Sequence, residues 1–232
     1  MNARQIRKHL LNFIRGWGFS IIAAILIATS FKSAIADWND VPTGSMIPTI
    51  LAGDRVFINK LSYGLKVPYT TLHIMRWQTP QRGDIVVFYS PKDGKRLIKR
   101  MVGVPGDEIA LYRNRIFLNG KPLDYETTPE STHDNISRVL KPEQQHLIEN
   151  LDGVRHSVIF SRMRSPIDSF DPVNVPADKV FVMGDNRNNS ADSRVFGFVD
   201  IDQIVGRATH IALSRDGSFL NPRWDRFFHK LM

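Results

Sequence analysis

Residues 96–107 read RLIKRMVGVPGD. Leu, Ile, Met and Val in a short run suit a pleated strand, and the Pro-Gly-Asp that follows stops it in a turn. Alternation puts Leu97, Lys99 and Met101 on one face and Ile98, Arg100 and Val102 on the other. A lysine on an apolar sheet face costs stability unless it is neutralised or paired. Two readings of Lys99 therefore stand: an edge lysine reaching solvent, or an amine held in place for its chemistry.

The same composition recurs on both sides. DRVFINK (54–60), DIVVFY (84–89), RIFLNGK (115–121), KVFVMGD (179–185) and IVGRATHIAL (204–213) are rich in Val, Ile and Phe and separated by Gly, Pro, Asp and Asn. That pattern predicts a mainly β, antiparallel core. Residues 124–175 differ: they contain ETTPESTHDN and KPEQQ, with scattered β signals such as VRHSVIF. They are expected to form an inserted smaller lobe. No internal repeat is visible.

The 232 residues contain no cysteine, which excludes disulfides, thiolate metal sites and a cysteine nucleophile. The net charge of +8 is concentrated at the start. Residues 1–36 hold Arg4, Arg7, Lys8, Arg15 and Lys32 and no acid, while the other 196 residues carry only +3. No basic run interleaved with aromatics is present, so no nucleic-acid partner is expected.

GWGFSIIAAILIATSFKSAIA (16–36) is apolar apart from Lys32. Twenty-one helical residues span about 30 Å, the thickness of a hydrocarbon layer. Trp17 and Trp38 flank it as interfacial aromatics do, and the basic residues before it retain the N-terminus inside. The expectation is a cytoplasmic segment 1–15, a transmembrane anchor 16–36 and an exported domain 37–232. A cleavable leader ending at Ala34-Ile35-Ala36 is the rival; Lys32 and the length of the span argue against it.

VPTGSMIPTI (41–50) encloses Ser45 between Pro42 and Pro48. Alone it is a tight turn entering a domain, or a serine held rigidly as a nucleophile. A serine nucleophile needs a base. The seven histidines stand in no triad setting, and no pair of them has metal spacing, so neither a metal nor any other cofactor is expected. Lysine is the alternative, and it serves only when desolvated, because its ordinary pKa is about 10.4. Lys99 is the lysine suited to that. MGDNRNNSADSRVFG (183–197) then packs Asp185, Arg187, Ser190, Asp192, Ser193 and Arg194 behind a buried strand. Such polar density reads as a supporting network of ion pairs, or as a solvated turn.

Taken together, PTGSMIPTILAGDRVFINK, RGDIVVF, IKRMVGVPGDEI and MGDNRNNSADSRVFGFV resemble the successive motifs of bacterial type I signal peptidases, in order, over 41–123 and 176–213. The resemblance implies a β-rich serine endopeptidase of the inner membrane, single-pass here, with its catalytic domain outside the cytoplasm, removing signal peptides from preproteins. It implies Ser45 as nucleophile, Lys99 as general base, Ser190 orienting the lysine, and Thr43 with the Ser45 N–H as oxyanion donors. Asp185, Asp192, Arg194 and Arg100 match its bracing residues, and Val41, Val87 and Ile98 its substrate pocket. Two departures stand out: room for one span where well-known members have two, and no cysteine pair in the lobe. The competing readings are a self-cleaving repressor-type serine–lysine protease, which lacks an anchor, and an anchored non-catalytic envelope β module.

Overall fold

A computed structural model describes residues 13–68, 70–127, 141–161, 167–216 and 221–231. Residues 1–12 of the expected cytoplasmic segment and 128–140 and 162–166 of the expected lobe lie outside these. A π-helical turn, Ile14–Gly18, leads into helix α1 (Phe19–Ala34). Strands β1 (Ala36–Asp40), β2 (Asp54–Asn59), β3 (Gly64–Lys66), β4 (His73–Arg76), β5 (Ile85–Tyr89) and β6 (Arg96–Gly103) follow. Next come β7 (Glu108–Tyr112), β8 (Arg115–Leu118), β9 (Lys121–Pro122), β10 (Asp124–Thr127), β11 (Gln144–Leu151), β12 (Val154–Ser161) and β13 (Phe170–Asn174). The chain closes with β14 (Lys179–Met183), the single turn α2 (Ser193–Phe196), β15 (Val199–Asp200) and β16 (Ile204–Ser214).

The fold is mainly β, and its strand pairs are antiparallel. A seven-stranded sheet runs β1-β2-β16-β5-β6-β14-β15. A three-stranded sheet, β10-β11-β12, and a four-stranded one, β13-β7-β8-β9, are built from the middle of the chain. Thus β13 returns to pair with β7, and the sheet it joins begins well before residue 124.

Burial follows the side-chain alternation. On β2, Asp54, Val56 and Ile58 are buried and Arg55, Phe57 and Asn59 are only partly so. Strand β5, flanked by β16 and β6, buries four successive residues and exposes only Tyr89. On β6, Leu97 and Met101 join one apolar cluster with Val86 and Phe88, and Ile98 joins another with Val87 and Ile50, as a period of two requires. Burying each such aliphatic chain contributes about 1.5–3 kcal/mol.

The expected anchor is found only in part. Helix α1 has 16 residues and ends at Ala34, because Ala36 already pairs with Asn59 in the main sheet. No helix among the described residues is long and apolar enough to cross a membrane. Its apolar side chains are nonetheless bare: Phe19, Ile22, Ile25, Leu26 and Ile27 are all more than half exposed.

The connection 41–53 is tied at its base. Val41 N–H donates to Asp54 O (2.9 Å), Gly53 N–H donates to Val41 O (2.8 Å), and Met46 and Ile50 are fully buried. The Asp54 carboxylate is buried beneath it, accepting from Leu51 N (2.9 Å), Ser214 Oγ (2.6 Å) and Arg226 Nη2 (2.7 Å), with Arg223 Nη2 at 3.4 Å. Asp54→Ala removes the buried carboxylate from two half-buried arginines, which retain only neutral acceptors there, and from a backbone N–H, so we expect a loss of about 3 kcal/mol. Thermal and urea unfolding measure it, and a variant melting like the wild type would contradict this account of the connection.

Candidate active site

The tied connection presents Ser45 to strand β6. Met46, next to Ser45, is buried in the cluster that holds Val41, Ile50, Val87 and Ile98, so the serine cannot drift from the sheet. The Lys99 Nζ lies 2.7 Å from Ser45 Oγ and 2.9 Å from the carbonyl of Ile98. Lys99 is only 3% exposed. Burial lowers its pKa to about 8; Asp192 and Asp185 pull it upward and Arg194 pushes it down. An amine with that pKa next to a hydroxyl can exchange a proton with it near neutral pH.

Lys66 is a second lysine lowered to about 8 by burial. Among the described residues its hydrogen-bond partners are the backbone carbonyls of Ile204 and Asp202, and no hydroxyl is among them. Sequence reading found only Lys99, because Lys66 stands in a short hairpin strand whose burial comes from β16.

Two buried ion pairs lie beside Lys99. Arg100, on the face of β6 opposite Lys99, forms a fork with Asp185, both bonds at 2.9 Å, and donates to Gly83 O (2.9 Å). Both residues are buried. Burial alone would raise the Asp185 pKa, but the Arg100 guanidinium outweighs it and the net direction is down. Asp192 caps α2 and holds Arg194 through Nε and Nη2, both at 2.8 Å, while its Oδ2 accepts from Gly184 N (3.0 Å). All four expected bracing residues are thus gathered behind Lys99, each carboxylate matched by its own guanidinium.

Asn186 was not singled out from sequence, where it reads as one of several turn-forming asparagines. Its backbone N–H donates to Ser45 O (3.1 Å) and its Nδ2 to Gly44 O (3.0 Å), so one residue clamps two successive carbonyls of the serine turn. Thr49 also escaped notice; its Oγ1 donates to Asp185 Oδ2 at 2.5 Å. The approach of the two segments requires Gly184, where a Cβ would fall 2.4 Å from Ser45 O and 2.3 Å from Ser190 Oγ. No spacing in one sequence marks such cross-chain contacts.

The remaining expected residues fall as follows. Ser190 is buried at the site, but its Oγ makes no hydrogen bond among the described residues, so the bond expected from it to Lys99 is absent. Thr43 is exposed on the connection, two residues before Ser45. Val41, Val87 and Ile98 are buried together at 3%, 0% and 6% exposure, Val87 directly opposite Ile98. Together they form a packed apolar floor.

The profile of the family described as "Signal peptidase, peptidase S26" matches residues 14–213. Signal peptidase I of Pseudomonas fluorescens is 33% identical over 212 residues, covering 85% of this chain and 72% of its own. Signal peptidase I of Buchnera aphidicola subsp. Schizaphis graminum is 32% identical over 230 residues, covering 84% of this chain and 73% of its own. A crystal structure of a signal peptidase I from Enterococcus faecalis is 27% identical, covers 57% of this chain and 98% of that one, and superposes with a TM-score of 0.36. The chain belongs to the signal peptidase family, peptidase S26, and is a peptide-bond hydrolase of the serine peptidase class.

Proposed function

We propose that this chain removes N-terminal signal peptides from exported preproteins, with Ser45 as nucleophile and Lys99 as general base. The observation that carries the reading is the 2.7 Å contact between a buried amine of lowered pKa and the serine hydroxyl. Neutral Lys99 takes the Ser45 proton as Oγ bonds to the scissile carbonyl carbon. The resulting oxyanion is held by the Ser45 N–H and the Thr43 hydroxyl. Lys99 then returns the proton to the departing amine as the C–N bond breaks, leaving an acyl-enzyme. It next takes a proton from water, whose oxygen attacks the ester, and it returns that proton to Ser45 Oγ as the C–Oγ bond breaks. Among the described residues no hydrogen bond uses the Ser45 N–H, and Asn186 fixes the carbonyls on either side of it. A donor so fixed is typically worth about 3–4 kcal/mol of barrier. Ser190, buried with an Oγ that makes no hydrogen bond among the described residues, would offer its hydroxyl to the lysine or the substrate once the substrate is bound.

The supporting geometry also bears on specificity. Val41, Val87 and Ile98 share a buried apolar cluster with Met46, and on this reading so closed a floor would give side chains at substrate positions −1 and −3 only a shallow seat. Small residues fit; larger ones would have to displace core atoms.

We further propose that the helical run through α1 anchors the chain in the bacterial inner membrane, single-pass, with the β domain on the outer side. Apolar side chains on every side of the helix lie uncovered by protein, which suits a lipid surrounding. Trp17 and Trp38 are exposed at its two ends, and the basic residues precede it.

Three outcomes follow. Lys99→Arg and Ser45→Ala should abolish preprotein cleavage, since arginine cannot deprotonate. In the wild type, kcat/KM should rise with pH and level off above about 8, where the free amine predominates; full activity in Lys99→Arg, or a rate flat from pH 6 to 9, would sink the dyad. Preproteins with Ala at −1 should be cut and those with Phe refused, by more than the roughly 1–3 kcal/mol of a single methylene; equal rates would count against the pocket. Fractionated cells should hold the protein in the membrane with its N-terminus intact and the β domain open to external protease; a mature chain starting at Asp37 would overturn the anchor.

A further inference from the structure

Glu149 on β11 is fully buried, yet nothing in the chemistry above uses it. Its carboxylate takes both terminal nitrogens of Arg187, at 2.7 and 2.5 Å, and Arg187 is itself only 1% exposed. His156 Nε2 lies 3.2 Å from the same carboxylate, and the Arg187 guanidinium rests 5.6 Å from the Phe160 ring. The Arg187 charge holds the Glu149 pKa down against the rise that burial would cause.

Arg187 directly follows Asn186, the residue that clamps Gly44 and Ser45. Its backbone is pinned on both sides: N–H to Ile159 O (2.9 Å), and carbonyl to Arg194 Nη2 (2.6 Å). Ile159 N in turn donates to Asp185 O (2.9 Å). The three-stranded sheet is therefore fastened to the loop at the point where that loop grips the serine turn. We propose that the Glu149–Arg187 pair is a positioning device which, through Asn186, sets the backbone of Ser45 and so makes turnover depend on the β10-β11-β12 sheet. The proposal rests on the Ser45–Lys99 reading above.

A merely structural pair could be exchanged for apolar residues with little effect, since such replacements of buried ion pairs are often neutral or stabilising. The test is full-length Glu149→Leu combined with Arg187→Met, assayed on a purified preprotein beside its melting curve. The folded double variant should retain the wild-type KM and lose about tenfold or more in kcat, the scale of a small misplacement at the reacting atoms. A wild-type kcat, or a loss carried by KM alone, overturns the proposal. Should the double variant fail to fold, Arg187→Lys, which retains the charge pair without the fork, carries the same test with the same criteria. The losses from the double variant and from Asn186→Ala should be less than multiplicative when combined; independent losses would exclude the route through Asn186. Ser45→Ala run in parallel separates the failures: surviving activity there rejects the dyad, whereas an inactive Ser45→Ala beside a wild-type double variant rejects only the positioning role.

Discussion

The Lys99 amine meets the Ser45 hydroxyl in a place closed to water, and two buried ion pairs lie around that contact. A buried amine regains its proton as soon as an unmatched carboxylate faces it. Two carboxylates do lie close, Asp185 and Asp192, and both act to raise the lysine pKa. Each is occupied by an arginine, Asp185 by Arg100 and Asp192 by Arg194. The surroundings are therefore strongly polar but close to electrically balanced, so desolvation prevails and the lysine ends near 8.

The same arrangement explains which parts were readable in advance. Strands β2, β5, β6, β8, β14 and β16 were legible because each is a run of β-branched and aromatic residues bounded by turn formers. The hairpin β3–β4 and the strand β11 were not, and β12 showed only as the isolated signal VRHSVIF. GLK and HIMR are too short to carry a period, and QQHLIENL places Glu149 inward, where an alternation rule expects an apolar residue. Glu149 is tolerated there because Arg187 arrives from a segment nearly forty positions later. The helix boundary failed for a related reason: Ile35 and Ala36 are as apolar as the helix, but pairing with β2 draws them into the sheet.

At the site, Ser45, Lys99 and the residues of the two ion pairs were named because their segments resemble the family's successive motifs, and the structure brings them together. Asn186, Thr49 and Gly184 were not, because their roles lie in contacts across the chain. Asparagine in a turn is ordinary. Only the fold reveals that this one spans from the loop to the carbonyls of Gly44 and Ser45. Ser190 is the reverse case, chosen from sequence for a bond that the described structure does not make.

Protonation ties the chemistry to stability. Unfolded, Lys99 returns to about 10.5, so between about 8 and 10.5 the unfolded chain binds the extra proton and stability rises with pH. Below about 8 both states are protonated and the whole penalty, about 3 kcal/mol from the size of the shift, is present. Asp185 acts in the opposite pH range: its lowered pKa gives stability above the ordinary carboxylate range that is lost on acidification. The fold at neutral pH thus carries a charged lysine that destabilises it, beside two carboxylates that are each paired with an arginine. Weakening the burial of Lys99 would relieve the first term and would also return the amine to its ordinary pKa, where, on the proposed mechanism, it would no longer activate Ser45. On the proposed mechanism stability and catalysis therefore conflict at this one side chain, and the ion pairs around it accompany a cost that the chemistry would not allow to be removed.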